Sequence, residues 1–574
     1  MSSTPPSPRT PAVHRLPLAG VLRLNKPSDV WLKPATSVVV ATAIPNMALL
    51  ALGRLDLAMY TMAGSLCALY GHNLPYAARA RALAWVVAGM LASVAVAMVT
   101  ASLTSSAAVL VAIGALLAAA QKGLCDATRI GPPGHLIFTF ISSATLFAPQ
   151  AIGQVPGHLA LTLAAGAVSW IVGMAPAVVR PHGPERRATA RALNAAAAYV
   201  ERPEHAPARG AAAAAVHAAW QSLLATGART EARRALERLV LRAEVAIAAP
   251  GDTDADRLRA WAGGLRGAGS VPRPERIAGM DDELLGIEAE LAGGKPSLWR
   301  RIGPGSPLLP IVLRTFVGCA LAGYGSLALG VGRPYWALVT AASIYQANLT
   351  LSWNRGVQRV VGNIAGVLVF AALVPLAHAS RLALVLCCLA CAFGAEALIT
   401  RNYWLGSLCV TPMALLVTEF ARYQEPGELI GDRVIDTLVG AVLGVVAAIA
   451  VTNRRATDGI EQALAASDTA RESAERTLAL PDPGHAALET ARRGLTAALV
   501  ELRAAADTAA GEWWQRALPE ERVLAAEQSG HRTLAATVRR QAEHSAPSGA
   551  GARQWRIVAD AQRSADEEGP VRQA

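Results

Sequence analysis

Arg355, Arg359, Gly362 and Gly366 are spaced four, three and four apart, so they share one face of a predicted helix, with Asn363 beside them. Cations at a membrane surface that run into small residues and one amide can draw organic anions into a groove and let a second helix approach closely. The same pattern serves arginines that only set topology and glycines that only pack, and both readings stand. Arg314 falls about one turn inside its own apolar helix, after Pro310. There it can meet a carboxylate substrate, pair with an acid of the bundle, or reach back to the surface. Glu396 and Asp436 lie within apolar sequence, where a carboxyl group can carry a coupling proton or serve as partner to an arginine. Glu419 reads as a surface residue. Trp336, Trp353 and Trp404 stand near helix ends, as interfacial belts do. Tyr335 and Trp336 can instead stack on an aromatic substrate.

Other chemistries lack their residues. No G-x-x-x-x-G-K-[ST] loop supports an ATP-driven pump, and no H-E-x-x-H, Ser/His/Asp motif or spaced Cys/His cluster supports an enzyme, a metal or a cofactor. Cys388 and Cys391 form a C-x-x-C with Cys387 alongside, but all seven cysteines lie in or beside apolar segments. Small thiols between membrane helices read as packing.

The elements that must hold these residues are long and apolar. Hydrophobic residues make up 53% of the 574, in segments near the ~20 residues a helix needs to cross a bilayer. Where no water can satisfy a stray N–H, such runs must be helices or closed barrels, and their long non-alternating pattern favours helices. Helices are predicted near 35–53, 57–75, 82–100, 105–121, 135–152 and 158–179, and again near 308–330, 334–350, 357–377, 381–400, 403–420 and 434–452. The fold class is therefore all-α, a polytopic membrane protein of two six-helix blocks, about twelve helices, each block followed by a polar helical region. The expected organisation is an N-terminal tail (1–34), a first transmembrane block (35–180), a helical region (181–305), a second block (306–453), a second helical region (454–545) and a disordered tail (546–574). Proline breaks at Pro203, Pro207, Pro250 and Pro272 divide the first region. Pro481, Pro483 and Gly511 divide the second into three helices, and Trp513-Trp514 reads as core or docking.

The net charge of +11 sits mostly at helix ends and in the polar regions, which favours membrane orientation over nucleic acid. With the N-terminus inside, Arg79, Arg81, Lys122, Arg129, Arg355, Arg359 and Arg401 fall in inner loops. Arg54, Arg333, Arg381, Arg422 and Arg433 fall in outer ones. The flanks decide it, since Arg23, Lys26, Lys33, Arg180, Arg186, Arg187, Lys295, Arg300, Arg301, Arg454 and Arg455 all take the same side. Both termini are expected in the cytoplasm, with no cleaved signal peptide in the Pro-rich first thirty residues. An Arg-rich, Lys-poor, Ala-rich composition suggests a GC-rich bacterial genome. Ala51-Leu52-Gly53 and Ala328-Leu329-Gly330 each open a break, a helix and then an arginine pair, which points to a parallel internal repeat.

One stretch is more specific. Arg333-Pro334-Tyr335-Trp336-Ala337-Leu338-Val339-Thr340-Ala341-Ala342 is followed by Gln346, Arg355, Gln358-Arg359 and Gly362. Asp432-Arg433-Val434-Ile435-Asp436-Thr437-Leu438-Val439-Gly440 closes the block, and Arg314-Thr315 opens it. Over about 308–452 this resembles the fusaric acid resistance and aromatic acid exporter family. The resemblance implies an inner-membrane secondary transporter exporting small organic, often aromatic, acids, and a homodimer. The candidate substrate contacts are Arg314, Tyr335, Trp336, Gln346, Arg355, Arg359 and Asn363, and the candidates for proton coupling are Glu396 and Asp436. Plant aluminium-activated malate transporters look like distant relatives, so an organic-anion channel is an alternative; a non-transporting scaffold is another. The expected partners are the lipid bilayer and a small organic anion.

Overall fold

The computed structural model describes most of residues 18–545, with its main breaks at 26–30, 226–229, 274–305, 452–455 and 511–519. Lys26, Arg129, Lys295, Arg300, Arg301, Arg454, Arg455, Trp513-Trp514 and the predicted disordered tail lie outside the described residues. The described residues are all-helical.

The first block comprises α1 (Leu32–Ala51), a short element centred on α2 (Ala58–Ser65) with 3-10 turns on either side, α3 (Tyr76–Leu103), α4 (Ala107–Thr128), α5 (Leu136–Leu146) and α6 (Val155–Met174). A one-turn α7 (Pro176–Val179) leads to α8 (Gly183–Val200), α9 (Ala206–Leu224), α10 (Glu231–Ala248) and α11 (Ala255–Arg266). The second block comprises α12 (Leu309–Ala328), α13 (Tyr335–Ile344), α14 (Leu349–Ala377), α15 (Arg381–Ile399), α16 (Tyr403–Thr418) and α17 (Pro426–Ala450). Then come α18 (Ala456–Leu478), α19 (His485–Ala510) and α20 (Glu520–Ser545).

All twelve predicted apolar segments are helical, but they do not give twelve spans. Eight helices are long and apolar enough to cross a membrane, and four apolar helices of 10–17 residues are not: 55–69, 136–146, 335–344 and 403–418. These are the second and fifth members of each block. Sequence hydropathy overran them because buried extended backbone follows two of them: Tyr70 continues the run after 69 and Tyr345 the run after Ile344, each 0% exposed.

The membrane environment is legible in which face is buried. On α17, Gly440, Gly444 and Ala448 point inward, whereas Leu438, Val442 and Val446 are 44–61% exposed. A water-soluble helix buries its large apolar residues; this one buries its smallest and shows the large ones to lipid. Packing within the blocks repeats. The second helix lies on the sixth in both, and the fifth lies on the third and fourth. Between blocks the pairing is reciprocal: α1 packs on α15 and α4 on α12, α5 meets α13 and α2 meets α16. First therefore meets fourth and second meets fifth, in both directions, as a pseudo-two-fold relation requires.

The polar helices behave as ordinary water-soluble bundles. In α8–α11, Leu193, Leu223, Leu236, Leu239 and Val240 form a closed core. The two helical regions touch through buried charge. Trp220 donates from Nε1 to Glu244 Oε1 at 2.9 Å, Arg493 stacks 3.7 Å above the Trp220 ring, and Arg492 pairs with Glu244. Burial lowers the Arg493 guanidinium to about 10, so it stays charged at neutral pH. Trp220→Phe keeps the ring but strands a buried carboxylate oxygen, and is expected to cost about 1–3 kcal/mol. A calorimetric scan of the purified protein would read this as a lowered midpoint; an unchanged midpoint would mean that the contact holds nothing together. Because they touch, both regions lie on one side of the bundle, termed here the domain side.

Candidate functional site

The four short helices converge on a cavity of about 970 Å³ at the end opposite the helical regions. Each contributes to the wall: Met59, Tyr60 and Met62 from the 55–69 element, Phe140 and Phe147 at α5, Tyr335 and Trp336 on α13, and Ala414 to Phe420 around the end of α16. The first turns of α17 close it with Glu428, Asp432 and Ile435. The volume suits a small organic ligand. The walls are aromatic and sulfur-bearing, and Phe147 and Tyr335 lie 5.8 Å apart with rings tilted by 31°. Three carboxylates, Asp56, Glu428 and Asp432, face two guanidiniums, Arg333 and Arg422, so the wall carries one net negative charge. Arg333 is already engaged. Its Nη1 donates to Asp432 at 2.7 Å and its Nη2 to Gln424 at 2.5 Å.

Beneath the cavity a line of buried polar groups runs through the second block. Trp336, 1% exposed, lies between Arg333 and Arg433, whose guanidinium carbons are 5.5 and 5.2 Å from its ring. Asp436 follows one turn along α17 and accepts from Ser326 at 2.5 Å. Next, Asn363 donates to Thr437 at 2.9 Å and accepts from Thr411 at 2.6 Å, tying α14, α17 and α16 together. Nearer the domain side, Arg359 donates to the Tyr403 hydroxyl at 3.3 Å, and Arg355 lies 3.9 Å above the Tyr403 ring. Arg433 Nε and Nη1, Asp436 Oδ2 and Arg359 Nε are buried without a hydrogen-bond partner among the described residues. Orphaned charge-bearing atoms at three levels make this line a place for water or ligand rather than inert packing.

Glycines let these elements meet. A Cβ on Gly362 would stand 2.5 Å from the Trp404 carbonyl oxygen, and one on Gly366 2.7 Å from Thr411 Cβ. Asn363→Ala leaves the Thr411 and Thr437 hydroxyls short of a buried partner. It is expected to destabilise by about 1–3 kcal/mol and to lower the midpoint measured in detergent. A midpoint equal to wild type would show the triad to be replaceable by water.

The residues singled out in the sequence divide accordingly. Tyr335 and Trp336 line the cavity; Asn363, Asp436, Arg355 and Arg359 lie along the line below it. Arg314 belongs elsewhere: fully buried, it donates from Nε to the Val451 carbonyl at 2.9 Å, so a cation sits at the C-terminal end of α17. Gln346 is in the extended link after α13, where its Nε2 reaches only the Tyr345 carbonyl. Glu396 is partly buried on α15, away from the line.

Three expectations are corrected. Glu419 is 0% exposed, not a surface residue, and His378 covers it from 3.1 Å. Arg433, assigned to an outer loop, is 1% exposed, because α17 starts at Pro426 rather than near 434. Trp336 is no interfacial belt residue, being buried at the cavity wall with two guanidiniums near its ring.

Sequence reading missed the first-block wall, Tyr60, Phe140 and Phe147. The signal was the repeat itself, which pairs α2 with α16 and α5 with α13. It also missed the N-terminal strap. Gln358 and Asn402 side chains donate to the Val21 carbonyl at 2.9 and 3.1 Å, Asn402 also to Arg23 at 3.0 Å, and Trp404 to Leu22 at 3.3 Å. The strap thus lies against the domain-side end of the line, next to Arg355 and Arg359.

No curated protein and no solved structure matches the chain. Residues 317–447 match the family model described as fusaric acid resistance protein-like, which spans α12 through α17, the helices that carry the polar line. This family is one of membrane transport proteins, and the chain, with its eight long apolar helices, is a multi-pass membrane protein of transporter type whose second block is a fusaric acid resistance protein-like domain.

Proposed function

We propose that the protein is a secondary transporter of a bacterial inner membrane that exports small organic acids, aromatic ones among them, from a cytoplasmic domain side to the cavity side. The observation that carries this reading is the convergence of all four short helices, two from each block, on one aromatic-walled cavity. Short helices at a repeat interface are the elements from which transporters build a central binding site.

Charge supports the direction. Arg355 and Arg359 stand at the domain-side end with no carboxylate on them among the described residues, whereas the cavity wall has more acid than base. An anion is attracted at the first and held loosely at the second, which favours release over re-capture. Tyr335 and Trp336 receive the aromatic body. Asp436 carries the coupling proton on a carboxyl whose Oδ1 accepts from Ser326 and whose Oδ2 is buried, with Glu396 the second candidate. The protein works as a homodimer in this reading, with both termini cytoplasmic.

The alternative, an organic-anion channel, draws on the same unbroken polar line. Proteoliposomes separate the two. A transporter gives saturable flux of an aromatic carboxylate that Asp436→Asn uncouples from a pH gradient. A channel gives conductance with no proton requirement. Failure to move any carboxylate under any gradient would leave a scaffold that recruits partners through α8–α11 and α18–α20.

A further inference from the structure

We propose that the domain-side end of the first block holds a second site, which binds a phosphate-type oxyanion, supplied by a phospholipid head group. It is separate from the cavity and independent of the transport reading.

Its centre is Arg79, on the first turn of α3. The residue is 0% exposed, wrapped by backbone at Gly71 and Gly173, where a Cβ would stand 3.2 Å from its Cγ and 3.5 Å from its Nη2. Among the described residues only Nη2 has partners, the His72 ring at 3.3 Å and the Ala68 carbonyl at 3.5 Å. Nε and Nη1 are buried with none. A guanidinium in that condition costs several kcal/mol unless an acceptor reaches it.

The groups around it add positive charge. Lys33 on α1 donates to the Tyr76 hydroxyl at 3.2 Å, with its ammonium 4.9 Å from that ring. Arg187 on α8 lies within electrostatic reach of Lys33, Tyr76 and Arg79 and donates to the Gly183 carbonyl at 3.2 Å. The Tyr76 hydroxyl would lie 3.5 Å from a Cβ on Gly183, so the N-terminal end of α8, an 18-residue helix, points into the same group. That end is positive and its cap residue, His182, makes no side-chain cap. Burial, then the Arg79 and Lys33 charges, lower His72 to about 3, so it adds no charge of its own. Among the described residues Glu185 is the only carboxylate acting on Lys33, Tyr76 and Arg187, and His182 lies 4.0 Å from it. Arg79 and Arg187, with the Lys33 amine beside them, against one carboxylate leave an excess that an oxyanion would balance, with oxygens for the orphaned Arg79 nitrogens.

The neighbourhood indicates the source. Leu32, next to Lys33, is 52% exposed, and Val178 and Val179, next to Arg180, are 88% and 76% exposed. Exposed apolar side chains flanking a basic pocket at a membrane boundary match acyl chains hanging below a head group.

The test titrates the purified full-length protein, in zwitterionic detergent, with phosphatidylglycerol, phosphatidylcholine or inorganic phosphate. Thermal midpoint and lipid retained in native mass spectra are the readouts. Phosphatidylglycerol is expected to raise the midpoint and remain bound, and Lys33→Gln and Arg187→Gln, both at the accessible edge, each to weaken it about fivefold. Arg79→Gln should abolish the effect, but because it can fail to fold, the two edge variants decide. Inorganic phosphate acting alone, with the same dependence on Lys33 and Arg187, would support the site as one filled from solution. No response to either anion, or a phosphatidylglycerol response that both edge variants keep in full, would overturn the proposal.

Discussion

Gly440→Val is expected to leave little folded protein. A Cβ at this position would stand 2.5 Å from the Ala337 carbonyl oxygen and 2.8 Å from Thr340 Cβ. The first of these is backbone, so no rotamer change relieves it, and α17 must move away from α13. Overpacking of a tight core costs about 1–3 kcal/mol and more where backbone has to shift. Gly440→Val belongs at or above the top of that range, and valine adds two further methyl groups. The movement also reaches function, because α13 carries Tyr335 and Trp336 into the cavity wall. Gly431→Ala is the control: it lies nine residues earlier on the same helix, and a Cβ there meets nothing within 4 Å. The expected result is a collapsed midpoint and yield for Gly440→Val with wild-type behaviour for Gly431→Ala, read by thermal unfolding in detergent. Equal midpoints for the two would mean that the α13–α17 contact is not as close as described.

Arg359→Gln is expected to cut carboxylate transport about tenfold to a hundredfold and to leave folding nearly intact. Glutamine ends two bonds short of Nη1, so the 3.3 Å bond to the Tyr403 hydroxyl is lost, at a net cost of about 0.5–1.5 kcal/mol. Also lost is a buried charge whose Nε has no partner among the described residues. A charge-assisted hydrogen bond to an anion is worth about 1.5–3 kcal/mol, and about 1.4 kcal/mol is tenfold in a rate or affinity. The loss should appear as a raised KM for anions presented from the domain side, and a neutral aromatic analogue should show no such change. If the variant transports normally while Tyr403 stays in place, Arg359 is a packing residue.

How far the sequence could be read depended on what each signal reports. Apolar run length located the apolar helices but overstated α5, α13 and the 55–69 element, since hydropathy cannot tell a helix from apolar chain that follows it. Helical spacing put Arg355, Arg359, Gly362 and Gly366 on one face with Asn363 beside it, and that face does pack on α16, because Gly362 and Gly366 admit Trp404 and Thr411. Spacing could not reveal partners distant in sequence. That Asn363 bridges Thr411 and Thr437, that Arg314 ends on Val451, and that Glu419 is hidden under His378 all follow from tertiary packing. The cavity was the least visible feature. Ten of its 25 lining residues come from the first block, which lacks the recognisable motifs and reads on its own as architecture. Only the reciprocal pairing of the blocks brings Tyr60, Phe140 and Phe147 opposite Tyr335 and Trp336.

The central claim is that this interblock cavity is where an organic acid passes. Phe147→Ala tests it most directly, since the residue belongs to the first block, lies 5.8 Å from Tyr335 and is only partly buried, so its loss should spare the fold. The measurement is the initial rate of an aromatic carboxylate leaving proteoliposomes under an imposed pH gradient, wild type against Phe147→Ala, with an aliphatic carboxylate of equal charge beside it. The account predicts saturable flux in the wild type and a several-fold loss in the variant that is larger for the aromatic acid. Flux of both acids unchanged by the substitution would contradict it.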